Sequence, residues 1–325
     1  MTARLEAGWG SPSILAQAEL RARFLLRPLR RRDSQQRIFE AVSTNGAKET
    51  FILKIFPTAE QARRQYELLQ NLWARFQSFD ARYSVPRPRA IVPEINALLM
   101  EKLEGRSLDQ LLLREFPADG ERMGARMRQS GEWLSAFHRI TRRAEAEPVP
   151  AQLFFEMNRE ELEYFLAQAE ILWRRPISRV RRTIEDLAVA SAAVSAPVSA
   201  VHGDFKLANV ISSETRTSGI DIDATRANCV YLDVAAFLND LDLIYSHPLN
   251  WRYSKAQVRR LQEAFLAGYF ATTAYAPEAI GFFRVIGLAG ILHAAQSQPA
   301  SWRAWQLRRV ALGALGALCG EGSAR

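Results

Sequence analysis

The run Ala200-Val201-His202-Gly203-Asp204-Phe205-Lys206-Leu207-Ala208-Asn209-Val210-Ile211 brings a carboxylate, a cation and a carboxamide within six residues, between two apolar flanks. Twelve residues beyond Asn209, Gly219-Ile220-Asp221-Ile222-Asp223 again sets carboxylates at the tip of an apolar segment. Moving a phosphoryl group needs a base or orienter for the attacking hydroxyl, a cation near the transferred phosphate, and oxygen ligands for magnesium. These two segments can supply all three. Gly203 permits a tight backbone path, and Asp204 after it could accept or orient the hydroxyl proton. Lys206 reaches the same space if the run is a loop. Asn209 offers a neutral oxygen, and Asp221 a charged one, to a hard cation such as Mg²⁺. A polar turn between buried strands, with Asp204 capping backbone amides, would account for Asp204 alone. It does not account for the ordered set of four.

The elements that must position this set divide the chain into two styles. The first third reads as mostly strand. Phe24–Leu29 is a first strand, Arg30-Arg31-Arg32-Asp33-Ser34-Gln35 a polar tip, and Arg37–Val42 a returning strand. Asn45-Gly46 is a hairpin signal, since both residues tolerate positive φ. Thr50–Phe56 follows, with Lys54 a lone charge among apolar neighbours. After Pro57, Thr58-x-x-Gln61 opens a helix with capping-box chemistry. Ala62, Tyr66, Leu69, Trp73 and Phe76 trace a helical stripe along it. Ala97–Met100 reads as a buried strand ending in Glu101, and Glu104–Ser107 as a turn. Beyond it the pattern is helical. Trp133, Leu134, Phe137 and Ile140 share a face, and further helices are expected over 151–173, Ile184–Ala193, Tyr231–Leu243, Gln257–Tyr269 and the tail from Ala279. The spacing therefore predicts a small sheet-rich lobe over 1–102 and a larger helical lobe over 103–325, with no internal repeat.

Composition sets further bounds. At 325 residues, 48% hydrophobic and 24% charged, the chain has the make-up of a folded protein with a substantial core. Residues 1–102 hold 17 Lys and Arg against 10 Asp and Glu, while the remainder holds 26 against 25. The basic excess of the first third is a solvated surface, or it attracts a polyphosphate or an anionic membrane surface, giving weak membrane-surface association. A nucleic-acid partner is not expected, because no aromatic-basic interleaving or binding motif is present. The N-terminus lacks a signal pattern, and Cys229 and Cys319 are isolated thiols that suit a reducing compartment, so a cytoplasmic location is expected. The most apolar stretch, Ile280–Ala295, is interrupted by Arg284 and His293 and reads as too short to span a bilayer.

His202-Gly203-Asp204-Phe205-Lys206-Leu207-Ala208-Asn209 resembles the catalytic loop of the aminoglycoside phosphotransferase and choline kinase-like family, and Ile220-Asp221-Ile222-Asp223 its magnesium-binding segment. Ile52-Leu53-Lys54 is similar to its third-strand lysine, and Leu98–Gly105 to its interlobe hinge. Leu134-Ser135-Ala136-Phe137-His138 matches the helix before the loop. Tyr231-Leu232-Asp233-Val234-Ala235 matches the segment whose aspartate braces that loop. The resemblance covers most of the chain. It implies an α+β, two-lobed protein-kinase-like fold, with a small antiparallel β-rich N-terminal lobe and a larger, mostly α-helical C-terminal lobe.

By the same resemblance, Asp204 would be the catalytic base or hydroxyl orienter, and Asn209 and Asp221 the magnesium ligands. Lys54 would hold the α/β-phosphates of ATP, while backbone groups of Glu101 and Leu103 would meet adenine. Lys206, often histidine in the antibiotic kinases, could neutralise charge developing on the transferred group. Asp223 stands behind Asp221 as an alternative ligand. His202 and His138 are expected to be structural.

Two departures stand out. Arg30-Arg31-Arg32 occupies the place of a glycine-rich phosphate loop, so one arginine touches phosphate or the tip is simply solvated. Gln65 falls where the family carries the glutamate that partners the lysine, with Glu67 and Glu60 nearby; Gln65 and Glu67 point about 200° apart on a helix.

The reading that follows is an ATP- and Mg²⁺-dependent kinase for a hydroxyl of a small-molecule acceptor: an amino sugar, a sugar or a choline-like alcohol. Only 12 residues separate Asp221 from Asp233, short for a protein-substrate activation segment. Glu156, Glu160, Glu161, Glu163 and Glu170 wrap around their helix, as a solvated acidic face would. The alternatives are a non-catalytic nucleotide-binding or scaffold protein of the same fold, and a kinase acting on a surface polysaccharide or lipid headgroup. Acceptor, nucleotide preference and oligomeric state are left open.

Overall fold

Successive side chains of an extended strand point to opposite faces, so Leu53 and Lys54 of the Phe51–Ile55 run must part ways. A computed structural model places both in one strand, and both are buried. It describes residues 24–29, 37–44, 49–115, 120–142, 149–150, 153, 156, 159–160, 162–164, 166–167, 178–192, 194–224, 227–246, 254–272, 275–296 and 302–318. The Arg30–Gln35 tip, the Asn45-Gly46 turn and Cys319 lie outside them.

The described residues form two compact units. One runs to Gly105 and takes in Ser213–Ile220; the other comprises Arg106–Ser212 and the chain from Asp221 onward. In the first unit, β1 (Phe24–Pro28), β2 (Arg37–Ser43), β3 (Thr50–Ile55), β4 (Tyr83–Ser84), β5 (Pro88–Val92) and β6 (Ala97–Glu101) are the strands of the N-terminal run. Five of them form an antiparallel sheet in the order β1-β2-β3-β6-β5. Ala41, Leu53, Ile95, Ala97 and Leu99 are its buried cluster, with Phe24 and Phe51 edge-to-face beside them. Lys54 is registered against Leu98, so it stands on the other face.

Helix α1 (Ala59–Phe79) starts where expected: the Thr58 side chain accepts from Gln61 N at 3.2 Å. Its buried stripe is Ala62, Leu69, Leu72 and Phe76. Leu72 thus takes the place expected of Trp73, which is only partly buried and lies under the Arg87 guanidinium. The segment Thr217–Gly219 pairs in parallel with β4, which ties it to this unit.

The second unit is built mainly from helices α2 (Leu108–Glu115), α3 (Gly120–Thr141), α4 (Ser178–Ser191), α5 (Tyr231–Asp242), α6 (Lys255–Tyr269), α7 (Pro277–Gln296) and α8 (Trp302–Leu318). The described residues between 153 and 167 are helical too. There Glu156 pairs with Arg159, and Glu163 with Arg181, at the surface. Helices α3 and α6 meet through glycine: a Cβ on Gly131 would stand 2.1 Å from Phe265 O, and one on Gly268 2.0 Å from Arg128 O. No larger residue permits that approach.

Helix α7 corrects one sequence expectation. The helix begins at Pro277, ahead of the apolar stretch, and Pro277–Ala295 is long and apolar enough to cross a membrane by length and composition. Half of that window is buried inside the protein. Val285, Leu288, Ala289 and Leu292 are fully covered, and α7 packs against α4, α5 and α8. It is a core helix of this unit.

Candidate active site

Phe205 is the pivot of the loop. Its ring is fully buried, stacked 5.6 Å from Trp133 and 5.1 Å from Phe237. With Phe205 driven inward, its neighbours Asp204 and Lys206 are turned outward together. Lys206 Nζ donates to both carboxylate oxygens of Asp204, at 2.8 and 2.6 Å. Their side chains are 41% and 57% exposed, so the pair is open to a ligand. His202 lies on the inner side among Trp133, Phe137 and Phe205. Asp204 N donates to His202 Nδ1 at 3.4 Å, and Asp223 N to His202 O at 3.1 Å. His202 therefore ties down backbone, as expected. Gly203 needs its glycine, having φ 83°.

The loop is gripped from α5. Asp233 Oδ2 accepts His202 N at 2.6 Å, and Oδ1 accepts Gly203 N at 3.1 Å. The same Oδ2 meets His138 Nε2 at 3.0 Å, and His138 Nδ1 meets the Tyr269 hydroxyl at 2.9 Å. A carboxylate can only accept, so Nε2 carries the imidazole proton and Nδ1 accepts from tyrosine. Burial would raise the Asp233 pKa, but the hydrogen bond from His138, with that from the His202 N–H, holds it below the usual carboxylate value. Asp233 stays ionised, and the brace on the loop is a charged one.

A second brace was not anticipated from sequence. Asp240 Oδ2 accepts Leu207 N at 2.8 Å. Burial pushes its pKa up to about 6, and the carboxylates of Asp109 and Asp204 push the same way; the Leu207 N–H and the Lys206 charge only partly offset this. Its one sequence signal is an acid in the apolar run Ala235-Ala236-Phe237-Leu238-Asn239-Asp240. Tyr269 had no signal at all, standing 131 residues from the histidine it meets.

Asn209 ends the short 3₁₀ turn Leu207–Asn209. Its Nδ2 donates to Asp204 O at 2.8 Å and to Asp204 Oδ2 at 3.0 Å. Those two bonds orient the amide, and they leave Oδ1 buried with no hydrogen-bond partner among the described residues. An orphaned buried oxygen costs on the order of 1–3 kcal/mol. A hard cation would remove that cost, so this position fits magnesium. Asp221, the other expected ligand, is held at φ 58°, a left-handed conformation that costs a non-glycine residue energy. Asp223 is exposed. Among the described residues no three His, Cys, Asp or Glu side chains group as a metal cage, so a cation here would rest on the Asn209 amide and at most two carboxylates, with ligands from its substrate.

In the first unit, Lys54 is buried with its ammonium 5.3 Å from the Phe56 ring centroid. Glu101 N donates to Arg87 O at 2.9 Å, and the Glu101 side chain accepts Arg87 N at 3.2 Å. Leu103 is partly buried, between exposed Lys102 and Glu104. Of the candidate partners for Lys54, Glu67 is exposed, and Glu60 is exposed and paired with Arg64. Gln65 is partly buried, three residues after Ala62 and four before Leu69, on the inward stripe.

A family model, the phosphotransferase enzyme family (APH), matches residues 28–280. The chain belongs to this family. Solved structures of similar fold cover nearly all of it. An amicoumacin kinase in complex with AMP-PNP, Ca²⁺ and Ami is 16% identical with a TM-score of 0.58, covering 97% of this chain and 94% of that one. A glucosamine kinase in complex with glucosamine, ADP and inorganic phosphate is 17% identical with a TM-score of 0.59, covering 95% and 84%. A choline/ethanolamine kinase family protein from Mesorhizobium loti is 14% identical with a TM-score of 0.55, covering 95% of each chain. No curated protein matches. These likenesses show the protein-kinase-like fold, α+β with an antiparallel β-rich N-terminal region and a mostly helical remainder. Within this phosphotransferase, Asp204, Lys206 and Asn209 come together on one loop, and the Asp233 and Asp240 carboxylates hold that loop from α5.

Proposed function

We propose that this member of the phosphotransferase enzyme family transfers the γ-phosphoryl group of ATP, with Mg²⁺, to a hydroxyl of a small molecule. The observation that carries this reading is the buried Oδ1 of Asn209, without a hydrogen-bond partner among the described residues, on the loop that presents Asp204. Asp204 would accept or orient the acceptor's proton, and Lys206 would face the charge that develops on the transferred group. Asn209 and Asp221 would hold the cation, whose chemistry when bound is to neutralise phosphate oxygens. Lys54 would contact the α/β-phosphates. With the Glu101 N–H taken by Arg87, the Glu101 carbonyl and the Leu103 N–H would meet the adenine.

Kinases similar in fold are named for glucosamine, choline and ethanolamine, so amino sugars and choline-like alcohols head the panel of acceptors, with plain sugars beside them. Incubation with ATP and Mg²⁺ across that panel should give a phosphorylated product, and Asp204→Ala should lower kcat by at least ~10²-fold. Turnover unchanged by Asp204→Ala would sink the reading.

The inward place of Gln65 favours a second reading, a nucleotide-binding protein of the same fold with no turnover. Tight ATP binding that persists without Mg²⁺, together with no product from any acceptor, would support it instead.

A further inference from the structure

Asp240 and Asp242 stand two residues apart on α5, about 200° around the helix. Their partners lie on opposite sides accordingly. Asp240 holds Leu207 of the catalytic loop, whereas Asp242 Oδ1 accepts Gln262 Nε2 of α6 at 2.9 Å and its Oδ2 pairs with Arg284 of α7. On the Asp242 side a cavity of about 430 Å³ opens among α5, α6, α7 and α8.

Among the described residues four cations line that cavity, Lys255, Arg259, Arg284 and Arg309, against the one carboxylate of Asp242. This carboxylate is already occupied. Arg284 is also fixed from behind, its Nε donating to Asn239 Oδ1 at 3.3 Å while Asn239 Nδ2 donates to Arg284 O at 2.9 Å. Lys255, Arg259 and Arg309 make no ion pair among the described residues; Arg309 only lies over the Trp305 ring. Residues 103–325 are almost balanced in charge, 26 basic against 25 acidic, so this excess is local. A convex surface would leave three such cations solvated and apart. Here they converge on one hollow, whose remaining wall includes Val258, Val310 and Ala314.

Guanidinium groups bind phosphate oxygens bidentately, and three separate donors match a dianion with several oxygens better than a single carboxylate. We propose that this cavity is a second binding site, which takes a small organic phosphate: the phosphate group held by Lys255, Arg259 and Arg309, the carbon skeleton laid against Val258, Val310 and Ala314. It lies on the face of α5 turned away from the catalytic loop, so its ligand need not be the acceptor or the nucleotide.

The test is calorimetric titration with phenyl phosphate and with inorganic phosphate at low salt. Phenyl phosphate should bind saturably and more tightly than inorganic phosphate. The double variant Arg259→Gln/Arg309→Gln should weaken it by at least ~10-fold, through loss of two charge-assisted contacts. Both side chains are exposed, so folding should survive. Should the double variant fail to fold, Lys255→Gln alone should weaken binding by ~3-fold or more. Absence of saturable binding, or equal affinity in wild type and variant, would overturn the proposal. Equal affinity for the two probes would overturn the role of the apolar wall. Binding to phosphatidylserine vesicles without binding of phenyl phosphate would overturn it in favour of a membrane surface.

Discussion

Asp233 accepts the backbone N–H of His202 at 2.6 Å from a position 31 residues downstream, and the same oxygen receives the imidazole of His138. One buried carboxylate therefore sets the path of the loop that carries Asp204, and α3 holds that carboxylate in turn.

Replacing Asp233 with Asn should cost about 2–3 kcal/mol in urea unfolding at pH 7, because hydrogen bonds to a charged acceptor are lost. The Asp233 pKa is lowered in the folded state, so its stabilisation is fully present above the ordinary value of 3.8 and is lost as pH falls through the lower folded value. The gap between wild type and variant should therefore close only in strong acid. A gap that stays constant down to that range would contradict the charged brace.

Asp240 should behave in the opposite sense. Its folded pKa of about 6 exceeds the ordinary 3.8, so the folded state holds the extra proton between these values and stability falls as pH rises through that window. Asp240→Asn keeps an acceptor for Leu207 N and removes the charge. It should match wild type near pH 3 and gain as pH rises to 7, by about 3 kcal/mol at most. Chemical denaturation at both ends of the window checks this, and a variant less stable than wild type at pH 7 would count against it.

Lys206→Ala should separate stability from catalysis. The Lys206–Asp204 pair is largely exposed, and such pairs contribute about 0–1 kcal/mol. Thermal unfolding should hardly move, while kcat should fall by ~10-fold or more if Lys206 meets the transferred phosphoryl group. An unchanged kcat would remove the lysine from the chemistry.

Gly131→Ala should destabilise the helix pair that carries His138 and Tyr269. The added Cβ would stand 2.1 Å from Phe265 O and 2.7 Å from Tyr269 N, both backbone atoms that can move only with their helix. A loss of about 1–3 kcal/mol or more is expected, read as a drop in Tm. Ala at Gly124, where no atom beyond its own stretch of helix comes within 4 Å of an added Cβ among the described residues, is the control and should leave Tm at or above wild type.

What the sequence determined by itself is local. Strand alternation around Lys54, the Thr58 cap of α1, and the grouping of Asp204, Lys206 and Asn209 all depend on neighbours a few residues away, where spacing and direction are linked. The phosphotransferase family was legible for the same reason, since its signature lies in short runs. Tertiary structure decided the rest. Only packing chose Leu72 over Trp73 for the buried stripe of α1 and left Gln65, not Glu67, on its inner side. Only the glycine contact of α3 with α6 brought Tyr269 to His138. The return of Ser213–Ile220 to the first unit rests on a parallel pairing with β4, more than a hundred residues earlier. Asp240 and Asp242 look alike in sequence. Helix rotation gives one of them to the catalytic loop and the other to a basic cavity, a difference that exists only once α5 has neighbours on both sides.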